Sequence, residues 1–323
     1  MMNIQDIFSG INSARIGVLG DFCLDAYWYA DMRRSELSRE TPHFPLPIVR
    51  ETYSPGAAGN VAANLAALKP ASVKAFGVIG RDWRGARLKE ALTDAGIDVS
   101  GLLEAEDRIT NAFIKPMRMG VSDVVYEDPR LDFENTTPLS QKYEECLLQL
   151  LDTAELDVLC VCDQTRCGCI TPAVRARLSE LGKKGLRIIA DSRDHIDQYT
   201  HVIVKPNEVE AARAFGEGSY EEIALRLSKH TQQTALITLG SQGCLVCDGN
   251  TVQAVPAYPV EPPIDICGAG DTFLSAFAAA QAAGASAAEA AAFANTASAV
   301  TIKKLNMTGT ATREEIEKQW HTR

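Results

Sequence analysis

The residues best suited to chemistry are Asp265-Ile266-Cys267-Gly268-Ala269-Gly270-Asp271-Thr272, which stand directly before an alanine-rich, helix-forming run. Glycines at 268 and 270 let successive backbone N–H groups turn toward one point, and a helix beginning there adds the positive end of its dipole. Such a turn holds an anion. Asp271, at its rim, is badly placed to bind phosphate but well placed to take a proton from an attacking hydroxyl. An anion hole beside a carboxylate points to phosphoryl transfer. The competing account is a plain glycine turn followed by an acidic residue that suits a helix N-terminus. No Walker A sequence and no G-x-G-x-x-G occurs, which weakens the P-loop and dinucleotide-binding alternatives.

Asp21 follows RIGVLG, Arg15 to Gly20, a short apolar run that fits a buried parallel strand with a ligand site at its C-terminal end. The chain has nine cysteines, with Cys160, Cys162, Cys167 and Cys169 spaced C-x-C-x4-C-x-C and Cys244 and Cys247 spaced C-x2-C. Four thiolates can hold zinc. Cys160, Cys162, Cys244 and Cys247 fall on expected core strands, however, where cysteine acts as a small hydrophobe, so zinc is the weaker reading. Histidines 43, 195, 201, 230 and 321 form no H-E-x-x-H or other paired ligand spacing. No Ser-His-Asp arrangement can be built from local motifs, so histidine catalysis is unsupported.

The string DICGAGD, Asp265 to Asp271, resembles the second signature of the ribokinase-like, or PfkB-type, carbohydrate kinases, D-T-x-G-A-G-D, with Ile266 where threonine is usual. The resemblance implies that Asp271 is the catalytic base and that the amides of Gly268, Ala269 and Gly270 help form the anion hole. It extends over nearly the whole chain and is closest to the heptose 7-phosphate kinase branch. GDFCLDAYWY, Gly20 to Tyr29, and RLDFE, Arg130 to Glu134, are similar to that branch's G-D-x-x-L-D-x-Y-W-Y and R-L-D-F-E. By resemblance Asp25 grips sugar hydroxyls, a task for which a carboxylate offers two acceptors at once, with Asp21 as its neighbour on the substrate side. Gly56-Ala57-Ala58-Gly59-Asn60-Val61-Ala62 resembles the first signature, G-G-x-x-N-x-A. This implies that Asn60 faces the sugar and that Gly56 allows close backbone approach. Ala57 replaces the second glycine, which narrows the space beside the sugar or demands a different backbone angle and bears on substrate identity.

On the nucleotide side, Asn207-Glu208-Val209-Glu210 resembles the family's N-x-x-E, which implies that Asn207 and Glu210 organise Mg2+, Glu210 through water, near the phosphates of ATP. An ordinary helix start with a capping Asn is the alternative. Thr238, Gly240 and Gly243 in TLGSQG resemble the T-x-G-x-x-G turn against the nucleotide, with a plain hairpin turn as the competing account. Asn295 corresponds to a family position beside the adenine pocket, against a buried polar role for the same side chain. Arg166 and Arg193 stand where the heptose branch has lysines and suggest a charged substrate, against a reading as solvated loop residues. A monovalent cation near residues 265–271 is a further family-based expectation.

These residues need elements to position them. Strands are expected at Arg15–Gly20, Val73–Ile79, Val158–Cys162, Arg187–Asp191, Val202–Lys205 and Ala235–Leu239, with helices between the later ones, which is the doubly wound pattern. A helix follows Gly56 and ends before Pro70, and another covers Arg87 to Ala95 with Gly96 closing it. The alanine-rich run Thr272 to Val300 reads as two helices broken at Gly284, the second started by the capping-box spacing of Ser286 and Glu289. Tyr27 to Tyr53, with prolines at 42, 45 and 47, suits irregular or edge strands, and Thr110 to Phe133 alternates and should pair with it.

The expected fold is α/β: a ribokinase-like, doubly wound, mostly parallel sheet flanked by helices. It forms one domain over residues 1–323 with a small β lid from about 27–53 and 110–133. Among the 323 residues, 32 basic against 42 acidic side chains give a net charge of −10, which argues against nucleic acid or an anionic membrane as partner. The start, MMNIQDIFSG, shows no secretory signal, so the cytoplasm is expected. The chain leaves no room for the nucleotidyltransferase domain common in the heptose branch, so no second activity is expected. The implied function is an ATP-dependent kinase of a sugar or phosphosugar, with a homodimer through lid strands as the implied assembly. Alternatives are a kinase of another sugar, sugar acid or nucleoside, and a catalytically silent sugar- or nucleotide-binding regulator.

Overall fold

The computed structural model describes residues 2–305 and 308–322. In chain order the strands are β1 (Arg15–Gly20), β2 (Phe22–Asp31), β3 (Ile48–Ala57), β4 (Ser72–Gly80), β5 (Asp98–Ala105), β6 (Asn111–Met119), β7 (Tyr126–Glu127), β8 (Leu131–Phe133), β9 (Val158–Asp163), β10 (Arg187–Ser192), β11 (Ile203–Val204), β12 (Ala235–Thr238), β13 (Cys244–Asp248) and β14 (Thr251–Val255). The helices are α1 (Ile4–Ile11), α2 (Ala58–Ala67), α3 (Trp83–Asp94), α4 (Gln141–Asp152), α5 (Pro172–Lys183), α6 (Glu208–Phe215), α7 (Tyr220–Thr231), α8 (Ala269–Ala282), α9 (Ala287–Thr301) and α10 (Arg313–Trp320).

Nearly continuous apolar runs such as VLCVCD form strands buried on both faces, which parallel strands roofed by helices require. They assemble in the order β14-β13-β12-β11-β10-β9-β1-β4-β5, parallel from β12 to β5 and antiparallel at β13 and β14. Successive strands step outward from β1 to β4 and β5, then jump to β9 on the other side. A crevice therefore opens at the carboxyl ends beside β1. Alternation along β1 sends Ile16 and Val18 toward a core with Ile7, Leu65, Phe277 and Phe293, and Leu19 toward one with Leu147, Leu178 and Leu227.

Several boundaries differ from expectation for local reasons. α3 begins at Trp83 because Asp82 caps it, its carboxylate accepting from Gly85 N at 2.9 Å. β11 shrinks to two residues between His201, whose φ is +57°, and Pro206, which has no N–H to donate. β5, whose buried positions are scattered among polar ones, carries no clear alternation and was not anticipated. α8 and α9 separate at Gly284, and Ser286 and Glu289 complete the capping box of α9. Among the described residues no helix is long and apolar enough to cross a membrane.

A second sheet has the order β3-β2-β6-β7, with β8 on β6. Its β2 is a ten-residue strand at the centre, antiparallel to β3 and parallel to β6, so the expectation of irregular or edge strands over 27–53 fails for β2 and holds for β3, which lies at the sheet's edge. The prolines at 42, 45 and 47 lie outside β2 and β3, in the connection between them. β2 also starts at Phe22, leaving Asp21 alone between the two sheets and placing Asp25 on the second sheet.

Candidate active site

α8 begins at the carboxyl ends of the parallel strands, and Gly268 reaches its start with φ +78°, a left-handed conformation that glycine adopts without strain. An added Cβ there would also sit 2.9 Å from Asn60 Nδ2. The amide of Ala269 donates back to the Ile266 carbonyl at 3.1 Å, which removes Ala269 from the expected set of anion-binding amides. The amides of Gly268, Gly270 and Asp271 find no acceptor among the described residues and form the open donors of this helix start.

Asp271 lies in the first turn of α8. Burial pushes its carboxyl up to about 6, with Asp191 and Asp25 adding to the rise and the Asn60 hydrogen bond and Lys205 opposing it. Asn60 Nδ2 donates to Asp271 Oδ2 at 2.7 Å. Asn60 is fixed in turn by Asn64, whose Nδ2 donates to Asn60 Oδ1 at 3.1 Å, and Thr272 Oγ1 donates to Asn64 Oδ1 at 3.1 Å. All three partners are buried. This chain of bonds between α2 and α8 orients one carboxylate oxygen and leaves Asp271 Oδ1 without a hydrogen-bond donor among the described residues.

Two charged residues that the sequence reading did not place in the site stand beside this turn. Lys205, immediately after β11, forms a buried ion pair with Asp191 on β10 at 3.1 Å. An added Cβ on Gly270 would lie 3.9 Å from Lys205 Nζ. Burial acts to lower the Lys205 pKa, but Asp191, Glu210 and Asp271 together raise it, so the ammonium stays charged. The available signal was a lysine ending the apolar strand HVIVKP.

On the second sheet, burial raises the Asp25 carboxyl against the pull of Lys115 and Arg130. Gly56 matters to it directly, because a Cβ on Gly56 would meet Asp25 Oδ1 at 2.8 Å. The glycine makes room for the carboxylate rather than exposing backbone. The neighbouring Ala57 carries φ +49° and ψ −121°, a conformation that favours glycine, so this departure from the signature is accommodated by a strained backbone.

Asp21 is engaged differently from the sugar-side role assigned to it. Its Oδ2 accepts from the amides of Gln164 at 3.0 Å and Thr165 at 2.8 Å, and its Oδ1 accepts from Cys169 at 2.9 Å. Both oxygens are committed to the loop after β9, so Asp21 clamps that loop instead of presenting a free carboxylate. Arg166, in the same loop, is exposed, as is Arg193, and the structure gathers neither against Asp271 or Asp25.

On the other flank, Asn207 and Glu210 form a capping box at α6. Asn207 Oδ1 accepts from the amides of Val209 and Glu210, and Glu210 Oε2 accepts from Asn207 N at 2.9 Å. This is the helix-start alternative in full, yet Glu210 Oε1 remains outside the cap. Burial and then Asp191 raise the Glu210 pKa. Thr238, at the end of β12, bridges to Asn207, and Gly240, with φ +54°, opens the following turn. Gly243 closes that turn by accepting from Leu239 N at 2.8 Å. Asn295 spends its amide on the carbonyls of Val255 at 3.2 Å and Pro256 at 3.0 Å, the buried polar role.

Burial raises the Cys160, Cys162 and Cys244 thiols, which keeps them protonated. Among the described residues no group of three or more His, Cys, Asp or Glu side chains has metal-holding geometry. A cavity of about 710 Å3 lies at the opposite end of the sheet, by Ala14, Asp157 and Arg187. Another of about 740 Å3 lies between Val255, Tyr258 and Ala292. Neither is lined by Asp271.

Residues 47–313 match the pfkB family carbohydrate kinases. The chain is 30% identical over 328 residues to "Bifunctional protein HldE" of Geobacter metallireducens, an alignment covering 98% of this chain and 64% of that protein. The chain thus spans less than two thirds of that relative's length. Among solved structures it is similar to ribokinase from Thermotoga maritima, with a TM-score of 0.69 and 21% identity over 95% of this chain and 99% of that one. It is also similar to phosphofructokinase-2 from Escherichia coli in complex with substrates and products, with a TM-score of 0.75 and 22% identity over 95% and 99% of the two chains. The mixed, mostly parallel sheet flanked by helices is the ribokinase-like fold.

Proposed function

From the premise that this chain belongs to the pfkB family of carbohydrate kinases and is therefore a phosphotransferase with a sugar hydroxyl as acceptor, we propose that it transfers the γ-phosphoryl group of ATP to a heptose 7-phosphate or a closely similar phosphosugar. Asp271 is the base in this reading. The observation that carries it is the half-buried Asp271 carboxyl, held up to about 6 and oriented by Asn60 at 2.7 Å, at the mouth of an unsatisfied helix start. A base with that pKa is ionised at neutral pH and still basic enough to draw a proton from a hydroxyl.

Asp271 Oδ1 takes the proton of the attacking hydroxyl while Asp25 holds the sugar. The open amides of Gly268 and Gly270, with the Lys205 ammonium beside them, face the charge that develops on the transferred group. They are fixed before reaction by the α8 turn and the Lys205–Asp191 pair, so little reorganisation is needed. The second sheet, which carries Asp25, would keep competing water from the acceptor.

Magnesium fits one part of this donor set. Glu210 Oε1 is free of the cap and no protein cage surrounds it, which suits an ion held mainly by phosphates and water. Bound there, magnesium would neutralise phosphate charge, with Glu210 positioned to hold its waters.

The test is a coupled ADP-release assay over sugars and sugar phosphates with ATP and magnesium. Asp271→Asn should bind acceptor normally and lose about 10²- to 10⁴-fold in kcat. Near-normal turnover by that variant removes Asp271 as base, and a wild-type protein that binds but phosphorylates nothing favours the silent regulator.

A further inference from the structure

One face of the second sheet carries cations whose position follows from strand register. Asp25 pairs with Phe113 and Tyr27 with Lys115 across β2 and β6, while Phe113 pairs with Asp132 across β6 and β8. Asp25, Tyr27, Phe113, Lys115 and Asp132 therefore project from the same face. Arg130 adjoins them, its guanidinium 4.4 Å from the Phe113 ring centroid. Asp132 grips Arg130 at Nε, 2.6 Å, and Nη2, 2.8 Å, leaving Nη1 outside the pair.

Lys115 is half-buried, with its ammonium 4.9 Å from the Tyr27 ring centroid and donating to the Tyr27 hydroxyl at 3.3 Å. Among the described residues no carboxylate stands within ion-pair distance of it. A cation partly withdrawn from water and left with a phenol as its partner gains most from a bound anion. The same ammonium is close enough to Asp25 and to Cys267, which leads into the 268–271 turn, to interact with both electrostatically. The cationic face thus looks onto the acceptor side of the crevice, not the flank of Glu210 and Thr238.

We propose that Lys115 and Arg130 form the acceptor-phosphate subsite, reading a phosphate ester on the sugar at a position remote from the hydroxyl that faces Asp271. Lys115 supplies a point charge oriented by the Tyr27 hydroxyl, and Arg130 supplies a planar donor edge fixed by Asp132 and Phe113. These residues take the place of Arg166 and Arg193 as the origin of charge selection. The inference rests on the kinase reading of Asp271 and Asp25, and its test separates the two.

Calorimetric binding of a heptose 7-phosphate and of the unphosphorylated heptose is measured on the wild type, Lys115→Met, Lys115→Arg and Arg130→Met, together with kcat and KM where turnover occurs. The wild type should bind the ester at least about tenfold more tightly than the free sugar. Lys115→Met and Arg130→Met should each weaken ester binding by about 10- to 100-fold. Because both cations also act on Asp25, each variant should weaken ester binding much more than free-sugar binding and raise KM for the ester more than it lowers kcat, and Lys115→Arg should recover part of the loss. Equal wild-type affinity for ester and free sugar overturns the subsite, as do substitutions that weaken both ligands alike. Should Lys115→Met fail to fold, Arg130→Met and the salt dependence of ester binding by the wild type decide, a flat dependence counting against the subsite. Tight ester binding without turnover defeats the kinase reading alone, and phosphorylation of free sugar without preference for the ester defeats the subsite alone.

Discussion

Asp271 combines two effects of opposite sign in one carboxyl. Because only the ionised form accepts a proton, kcat should climb as pH rises through about 6 and level off above it, measured in the coupled assay between pH 5 and 8. The same shift makes the ionised form costly to the fold. The folded pKa of about 6 lies above the ordinary 3.8, so the penalty is present above pH 6 and disappears as pH falls toward 4. Asp271→Asn should accordingly raise stability at pH 8 by roughly 3 kcal/mol or less, with the difference shrinking at pH 5, as read from urea midpoints. A variant no more stable than wild type at pH 8 would show that the buried charge is compensated. Ala57 offers a second test at this scale. Its φ of +49° is strained for a side-chain-bearing residue, so Ala57→Gly should stabilise by about 1 kcal/mol, and a lower melting temperature would refute the strain.

At the scale of elements, the functional groups sit where one segment holds another. Asp21 joins β1 to the loop after β9 through three amide donors. Asp21→Asn replaces one acceptor oxygen with an N–H group facing donors, which should cost about 2–3 kcal/mol in urea unfolding. In the proposed reading the α6 start serves two purposes, capping and magnesium binding, that one substitution can separate. Glu210→Gln keeps an oxygen for the Asn207 amide and hence the cap, so stability should change by less than about 0.5 kcal/mol. The magnesium concentration for half-maximal rate should rise several-fold, and an unchanged requirement would confine Glu210 to capping. Motif order could not separate these roles, because a capping box and N-x-x-E share the same spacing. The structure shows the cap occupying one oxygen and leaving the other free.

For the whole molecule, the crevice between the two sheets couples ligand binding to stability. Ligands that bind only the folded state add about 2.7 kcal/mol at a hundredfold excess over Kd. Acceptor and ATP with magnesium should raise the melting temperature of Asp271→Asn as well as wild type, and loss of that shift in the variant would mean that Asp271 supports binding rather than proton transfer. Local sequence carried much of this arrangement. Apolar runs marked the strands of the parallel sheet, small residues and capping spacing marked α8 and α9, and GAGD marked the turn that opens α8, because each depends on residues adjacent in the chain. The motifs and their order also carried the resemblance to the family. Tertiary structure alone decided which carboxylates are free. Asp21 and Asp25 look alike four residues apart, yet one meets three amides of a loop more than 140 residues away and the other accepts no hydrogen bond among the described residues and feels Lys115 and Arg130. It alone brought Lys205 to Gly270 and Lys115 to Tyr27, since burial, desolvation and register between distant strands set the charge and direction of a side chain, and none of these is written in its neighbours.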